Sequence, residues 1–263
     1  MRPHEKAKAY GVTSLLSIGA DAKTVKGESE GFLTAALYMA PADIDGANVC
    51  PWHTDACKAN CIYGTGRQTK GVLNARAARK RLYQKNRPLF AACLATELGS
   101  FERKCKREGW QGAVRLNATS DILYERTLPD IFAEFPELTF YDYTKAPPAL
   151  REELPGNYSL AWSWSNTDTI RDLERKIERG PLAVPFAPAD EQAPKLPDSF
   201  EIGDFVYPVF DGDQNDLIFR YKPNEVIGLA YKGKGGSRPY YWQQKASEIF
   251  AVSVGSREAF QWR

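Results

Sequence analysis

The chain has 263 residues, 43% of them hydrophobic, enough for one sizeable core. Its formal net charge is +2 and its pI about 8.2, so bulk charge does not argue for nucleic acid. No apolar run approaches membrane-spanning length and none follows the charged start Met1-Arg2-Pro3-His4-Glu5-Lys6, so a cytoplasmic protein without a membrane partner is expected.

Residues 1–30 are polar and rich in Gly, Lys and Glu, and read as an arm packed over another part of the fold. Phe32 to Met39 reads as a buried strand. Residues 40–66, rich in Pro, Asp, Asn and Gly, form a loop that carries three of the five cysteines. A helix is expected from about Gly71 to Tyr83. A second follows Pro88, with the apolar stripe Phe90, Leu94, Leu98, Phe101 and Cys105. After Gly109 short apolar runs recur: Ala113–Leu116, Leu138–Tyr143, Tyr158–Trp164, Leu182–Phe186, Phe205–Phe210 and Val226–Tyr231. Helix-like segments lie between them at Leu128–Phe135, Ala149–Leu154 and Thr167–Arg179, the last stopped at Gly180. Residues 188–204, Pro-rich and acidic, read as a surface excursion. Strands alternating with helices predict an α/β fold with mostly parallel strands, a partial or complete (β/α) barrel in one domain.

In such a barrel, chemistry collects at the carboxyl ends of the strands. Asn117, Ser120 and Asp121 follow one predicted strand. Tyr143 and Lys145 end the next, and Ser163 and Asn166 the one after. These seven residues are expected to line one cavity with the cysteine loop. Lys145 and Asp121 are the catalytic candidates. Lys145 suits a carboxylate or phosphate, and Asp121 a ribose hydroxyl or an amine. Asn117, Ser120, Tyr143, Ser163 and Asn166 are the cofactor-binding candidates.

The loop sequence Cys50-Pro51-Trp52-His53-Thr54-Asp55-Ala56-Cys57-Lys58-Ala59-Asn60-Cys61 has the spacing C-x6-C-x3-C. Three thiolates from one short loop can hold one face of an iron–sulfur cluster, or zinc with His53 as fourth ligand. Three free thiols and a solvated His53 are the plain alternative. Cys105, on the helix stripe, reads as a core thiol. Asp211-x-Asp213-x-x-Asp216 reads as a solvated acidic turn or a rim site for Mg²⁺ or an amine. Lys232–Arg238 reads as a phosphate-cradling turn or a solvated one. The basic residues Arg67, Lys70, Arg76 and Lys80 offer a nucleic-acid backbone surface, or simply a solvated helix face.

Three blocks occur together. One is Cys50…Cys57…Cys61-Ile62-Tyr63-Gly64-x-Gly66 with the basic helix after it. The others are Val114-Arg115-Leu116-Asn117-x-Thr119-Ser120-Asp121 and Phe140-Tyr141-x-Tyr143-Thr144-Lys145. In this combination, from about Leu15 to Lys234, the chain resembles the bacteriophage and mobile-element family called gene product eighty-eight. Its members look like divergent relatives of radical S-adenosylmethionine (SAM) proteins, which place C-x3-C-x2-C after the first barrel strand; here the loop position agrees and the spacing departs. The resemblance implies that Cys50, Cys57 and Cys61 ligate a [4Fe–4S] cluster whose open iron binds SAM. It implies a radical SAM-like enzyme acting on a nucleotide, nucleic acid or small metabolite in the host cytoplasm. The alternative is a non-catalytic nucleic-acid-binding or replication-associated protein with a structural cluster or zinc.

Overall fold

Parallel strands buried on both faces need apolar residues at every position. Residues Phe32–Leu37 meet that demand: all six are buried. They form the second strand of a ten-stranded sheet. The strands are β1 Leu16–Ile18, β2 Phe32–Leu37, β3 Gln111–Arg115, β4 Thr139–Thr144, β5 Tyr158–Ser163, β6 Leu182–Pro188, β7 Ser199–Ile202, β8 Phe205–Asp211, β9 Val226–Ala230 and β10 Val252–Val254. The computed structural model describes residues 2–19, 25–61, 63, 69–190, 194–232 and 251–254.

The order is β1-β2-β3-β4-β5-β6-β9-β8-β7, with β10 beside β6. From β2 to β8 every neighbouring pair is parallel. Only the edge strands β1 and β7 are antiparallel to their neighbours. Thus the molecule is α/β with a mostly parallel sheet, and among the described residues that sheet stays open. β10 takes its place because β5 leaves β6 early. β5 pairs with β6 only at Trp162↔Leu182 and Ser163↔Ala183, and β10 then pairs with Phe186 to Pro188.

One face of the sheet packs under the helices. The helices are α1 Pro3–Ala7, α2 Asp55–Ala59, α3 Lys70–Lys85, α4 Arg87–Glu108, α5 Tyr124–Thr127, α6 Asp130–Glu134 and α7 Ile170–Arg179. Leu33, Val114, Phe140, Leu160, Trp162 and Val184 point to this side and meet the α4 stripe Phe90, Leu94, Leu98, Phe101 and Cys105. Asn86 caps α4 by accepting from Leu89 N at 3.1 Å. The opposite face alternates with the first: Phe32, Ala113, Tyr141, Ala161, Ala183 and Ile227. Its three alanines leave room for Leu217 and Ile218 at the short 3₁₀ turn Ile218–Arg220 to fill the space.

Several expectations change in detail. The stretch 1–30 contributes α1 and the edge strand β1, and 188–204 contributes the edge strand β7. Ala149–Leu154 holds only the 3₁₀ turn Pro148–Leu150, because Pro147 and Pro148 supply no amide hydrogens for a longer helix. α7 starts three residues later than expected, capped by Thr169, whose hydroxyl accepts from Asp172 N at 3.2 Å. Gly180 ends α7 in an extended conformation. A side chain there would meet Leu160 O at 3.0 Å and the Trp162 indole at 3.2 Å. No described helix is long and apolar enough to cross a membrane.

Candidate functional site

Because β2 to β6 and β9 run parallel, their carboxyl ends share one edge. The loop after β2 lies across that edge, and each neighbour's rim holds it. Met39 N donates to Thr119 Oγ1 at 3.0 Å, and Thr119 Oγ1 donates back to Met39 O at 2.6 Å. Asp121 N donates to Val49 O at 2.8 Å. Farther along, Thr54 Oγ1 donates to Asn166 Oδ1 at 3.2 Å, beyond β5. The Tyr231 hydroxyl, just past β9, donates to Asn60 Oδ1.

Within the loop, Thr54 Oγ1 accepts from Cys57 N at 3.2 Å and so starts α2. Cys57 lies within α2, and Cys61 follows just past its C-cap Asn60. The His53 ring donates from Nδ1 to Cys50 O at 2.6 Å and so ties down the backbone beside Cys50. Ala42 N donates to Cys50 Sγ at 3.3 Å.

All three loop thiols are half-buried, whereas Cys93 and Cys105, on α4, are buried in the core. Burial pushes the Cys50 thiol up to about 12, with Asp121, Cys61 and Cys57 adding to the effect. Burial also raises Cys57 and Cys61; Lys145 opposes it at Cys57 and Arg76 at Cys61. Left alone the three thiols hold their protons at neutral pH, and a bound cationic centre would displace them. Among the described residues no group of three or more His, Cys, Asp or Glu side chains is placed to hold a metal ion.

The other rim candidates divide. Asp121 is buried: its Oδ1 accepts from Thr144 Oγ1 at 2.8 Å and its Oδ2 from Lys145 N at 2.9 Å, with Arg151 3.7 Å away. Burial pushes its carboxyl up. The Lys145 ammonium turns inward and donates to Trp164 O; burial lowers its pKa while Cys57 favours its charge. Asn117 and Ser120 build the turn after β3. Asn117 Oδ1 accepts from Ser120 Oγ and Ile122 N, both at 2.8 Å, and its Nδ2 donates to Ile122 O at 2.9 Å.

Tyr143 points to the opposite face of the sheet. Its hydroxyl donates to Asp216 Oδ1 at 3.3 Å, beneath the Arg115–Asp216 ion pair of 2.8 Å. Ser163 lies on that same face by alternation with Ala161. The structure thus ties Asp121 to the backbone of Lys145 and to the cysteine loop, puts Asn166 against that loop, and turns Tyr143 to the other face. A cleft of about 590 Å³ opens beside the site, lined by Lys145, Pro147, Glu152, Asp168, Lys176 and Arg179 among others.

The basic helix also has a different role from the one expected. Lys80 is fully buried in α3 and donates to Ala42 O at 2.7 Å and Ile44 O at 2.6 Å, so it cannot reach a phosphate. The Arg76 guanidinium lies 4.9 Å from the centre of the Tyr38 ring and 5.5 Å from that of Tyr63. Lys70, at the start of α3, is exposed. Arg67 lies outside the described residues, as does most of Lys232–Arg238. The acidic stretch is not an open turn. Asp213 meets Lys195 at 3.1 Å and Lys232 at 3.3 Å, and Asp216 is buried against Arg115.

Sequence reasoning overlooked Asp142, which anchors the layer beneath the rim. It accepts from Asn117 N at 2.6 Å and from the Tyr158 hydroxyl at 2.8 Å. Arg151 donates to the same hydroxyl at 2.8 Å and makes two bonds to Glu125, each 2.8 Å. The available signal was parity: Asp142 shares the helix-side phase of Phe140, where a carboxylate must find partners.

Fold and site together define an α/β protein whose open parallel sheet carries a three-cysteine loop across its carboxyl edge. The chain belongs to the Gene product 88 family, whose model matches residues 14–251. The search of curated proteins found no match, and neither did the search of solved structures.

Proposed function

We propose that Cys50, Cys57 and Cys61 ligate an iron–sulfur cluster, and that the protein is a radical SAM-like enzyme acting on a nucleotide, nucleic acid or small metabolite. In this reading the open sheet is a partial barrel. The observation that carries it is that one short loop at the carboxyl edge of a parallel sheet bears three half-buried thiols. The donor set fits the group: thiolates are the ligands of such clusters, and three of them leave one iron open. A single zinc ion on the same thiols is the alternative, and metal analysis separates the two. When bound, a cluster supplies one-electron chemistry that the side chains lack.

The chain's own residues hold and orient. Thr54 and Asn166 fix the turn that carries Cys57. Thr119 fixes the start of the loop. Asp121 holds the backbone at Lys145, which puts that lysine between Cys57 and the cleft. A ligand carboxylate or phosphate entering the cleft would meet the cations Lys145, Arg175, Lys176 and Arg179 that line it.

The test is anaerobic purification with iron, sulfide and zinc analysis, visible spectra, and SAM binding and cleavage assays. Brown protein with iron and sulfide is expected. Cys50→Ala, Cys57→Ala and Cys61→Ala each lose it, while Cys93→Ala and Cys105→Ala keep it. Colourless protein with zinc, or full iron in all three loop variants, would overturn the assignment. Iron without SAM binding would leave a cluster protein and remove the enzyme reading.

A further inference from the structure

The sheet face opposite the helices changes character at its carboxyl end. There the buried layer of Ala113, Ala161 and Ala183 is followed, two residues further along each strand, by Arg115, Ser163 and Pro185. Tyr143 and Leu229 continue β4 and β9 in the same phase, and Pro185 is paired directly with Leu229. All five are partly exposed, so this face opens to solvent just where the strands end. They form a floor that is charged at β3, hydroxyl-bearing at β4 and β5, and apolar at β6 and β9. The floor lies across the sheet from the cleft, which is lined by α7 on the helix side.

Arg115 is fixed in this floor from one side. Its Nη1 donates to Asp216 Oδ2 at 2.8 Å, and its guanidinium lies 4.7 Å from the centre of the Tyr143 ring. The Tyr141 and Tyr143 hydroxyls donate to the same carboxylate at 3.4 and 3.3 Å. On the other side Nε is buried, and among the described residues it has no hydrogen-bond partner. A buried donor without an acceptor is costly, and folded chains seldom keep one. The edge that carries it, Nε–H beside Nη2–H, presents two parallel donors, which the two oxygens of one carboxylate match. Asp216 already balances the charge of Arg115, so one added negative charge fits here better than the nearly two of a phosphate monoester. Beyond the polar end, Pro185 and Leu229 offer an apolar surface and no further charge.

We propose that this floor is a second ligand site, for a small monocarboxylate with an apolar or aromatic body. The carboxylate takes the free Nε–Nη2 edge of Arg115, and the body runs past Ser163 toward Pro185 and Leu229. Asp216 and the two tyrosines are positioning residues that hold the guanidinium still. The site needs no metal and stands whether or not the cysteine loop carries a cluster.

The experiment titrates the full chain, as purified, with 3-phenylpropanoate and hexanoate and reads Kd by ligand-observed nuclear magnetic resonance. The neutral 3-phenylpropanamide and inorganic phosphate are titrated beside them. Saturable binding of the carboxylates is expected, with the amide and phosphate at least tenfold weaker. Arg115→Lys keeps the charge but loses the fork, and should weaken 3-phenylpropanoate at least tenfold. Ser163→Leu fills the floor without touching the Arg115–Asp216 pair and should do the same, so it decides the matter if Arg115→Lys does not fold; circular dichroism melts check both. Failure of both carboxylates to bind the parent would overturn the inference. So would equal binding of the amide, which would remove the charge from the recognition, or phosphate binding as tight as the carboxylates, which would remove the ligand class. Parent-like affinity in folded Ser163→Leu would overturn the placement on this face. None of these outcomes bears on the iron and sulfide content that tests the cysteine loop.

Discussion

Asp121→Ala tests whether the rim under the cysteine loop is held by the bonds described. Asp121 is 8% exposed and accepts two bonds, from Thr144 Oγ1 at 2.8 Å and Lys145 N at 2.9 Å. Removing the carboxylate leaves the donor of the buried Thr144 hydroxyl, which still accepts from Ala146 N at 3.0 Å, and a partly buried amide without acceptors, at about 1–3 kcal/mol each. Part of this is offset, because the carboxylate itself is penalised by burial, which pushes its pKa up. Arg151 keeps its two bonds to Glu125 and so does not become an isolated charge. The net loss is about 2 kcal/mol. At roughly 2–4 °C per kcal/mol for a chain of this size, the metal-free protein should melt about 4–8 °C lower. Asp121→Asn, which keeps one acceptor, should lose about half as much. Circular dichroism melts of the parent, Asp121→Ala, Thr144→Val and the double variant measure both the loss and the coupling. An Asp121→Ala melt within about 1 °C of the parent, or no coupling to Thr144, would refute the reasoning.

Three further expectations follow from buried groups. Asp216→Ala strips Arg115 of its 2.8 Å partner inside the sheet and should cost about 3–5 kcal/mol in denaturant unfolding; a loss under about 1 kcal/mol would contradict a buried ion pair. Burial pushes the Asp142 carboxyl up to about 7, so between about pH 4 and 7 the folded chain keeps a proton that the unfolded chain releases. Stability from this group therefore falls as pH rises through that window, by on the order of 4 kcal/mol at most. The stability difference between the parent and Asp142→Asn should shrink from pH 5 to pH 8, and parallel pH profiles would exclude the effect. Gly112→Ala puts a methyl 2.5 Å from Leu138 Cδ2 and 3.3 Å from Cys105 Sγ, an overpacking of about 1–3 kcal/mol, and an unchanged melt would show that this layer yields.

What local pattern encodes, the sequence determined. Continuous apolar runs separated by helical stripes gave the strand–helix alternation, because parallel strands are buried on both faces and amphipathic helices on one. The C-x6-C-x3-C loop after β2 was legible for the same reason: its composition breaks both periods, and a parallel strand must end at the carboxyl edge. The short strands β1, β7 and β10 were not legible, since three or four residues carry almost no period and take their pairing from the neighbour.

Only the tertiary structure decided what the polar residues do. Lys80 read as part of a basic surface and Asp121 as a catalytic candidate. Their contacts are with carbonyls, a hydroxyl and an amide 23 to 38 positions away. Tyr143 read as a rim residue, yet its partner Asp216 lies 73 positions on, and the alanines of β3, β5 and β6 admit the turn that brings it there. Among the described residues the sheet stays open, and its strand order too is set outside any local window. The early parting of β5 from β6 and the insertion of β10 depend on long-range pairing, and spacing in the chain carries no record of it.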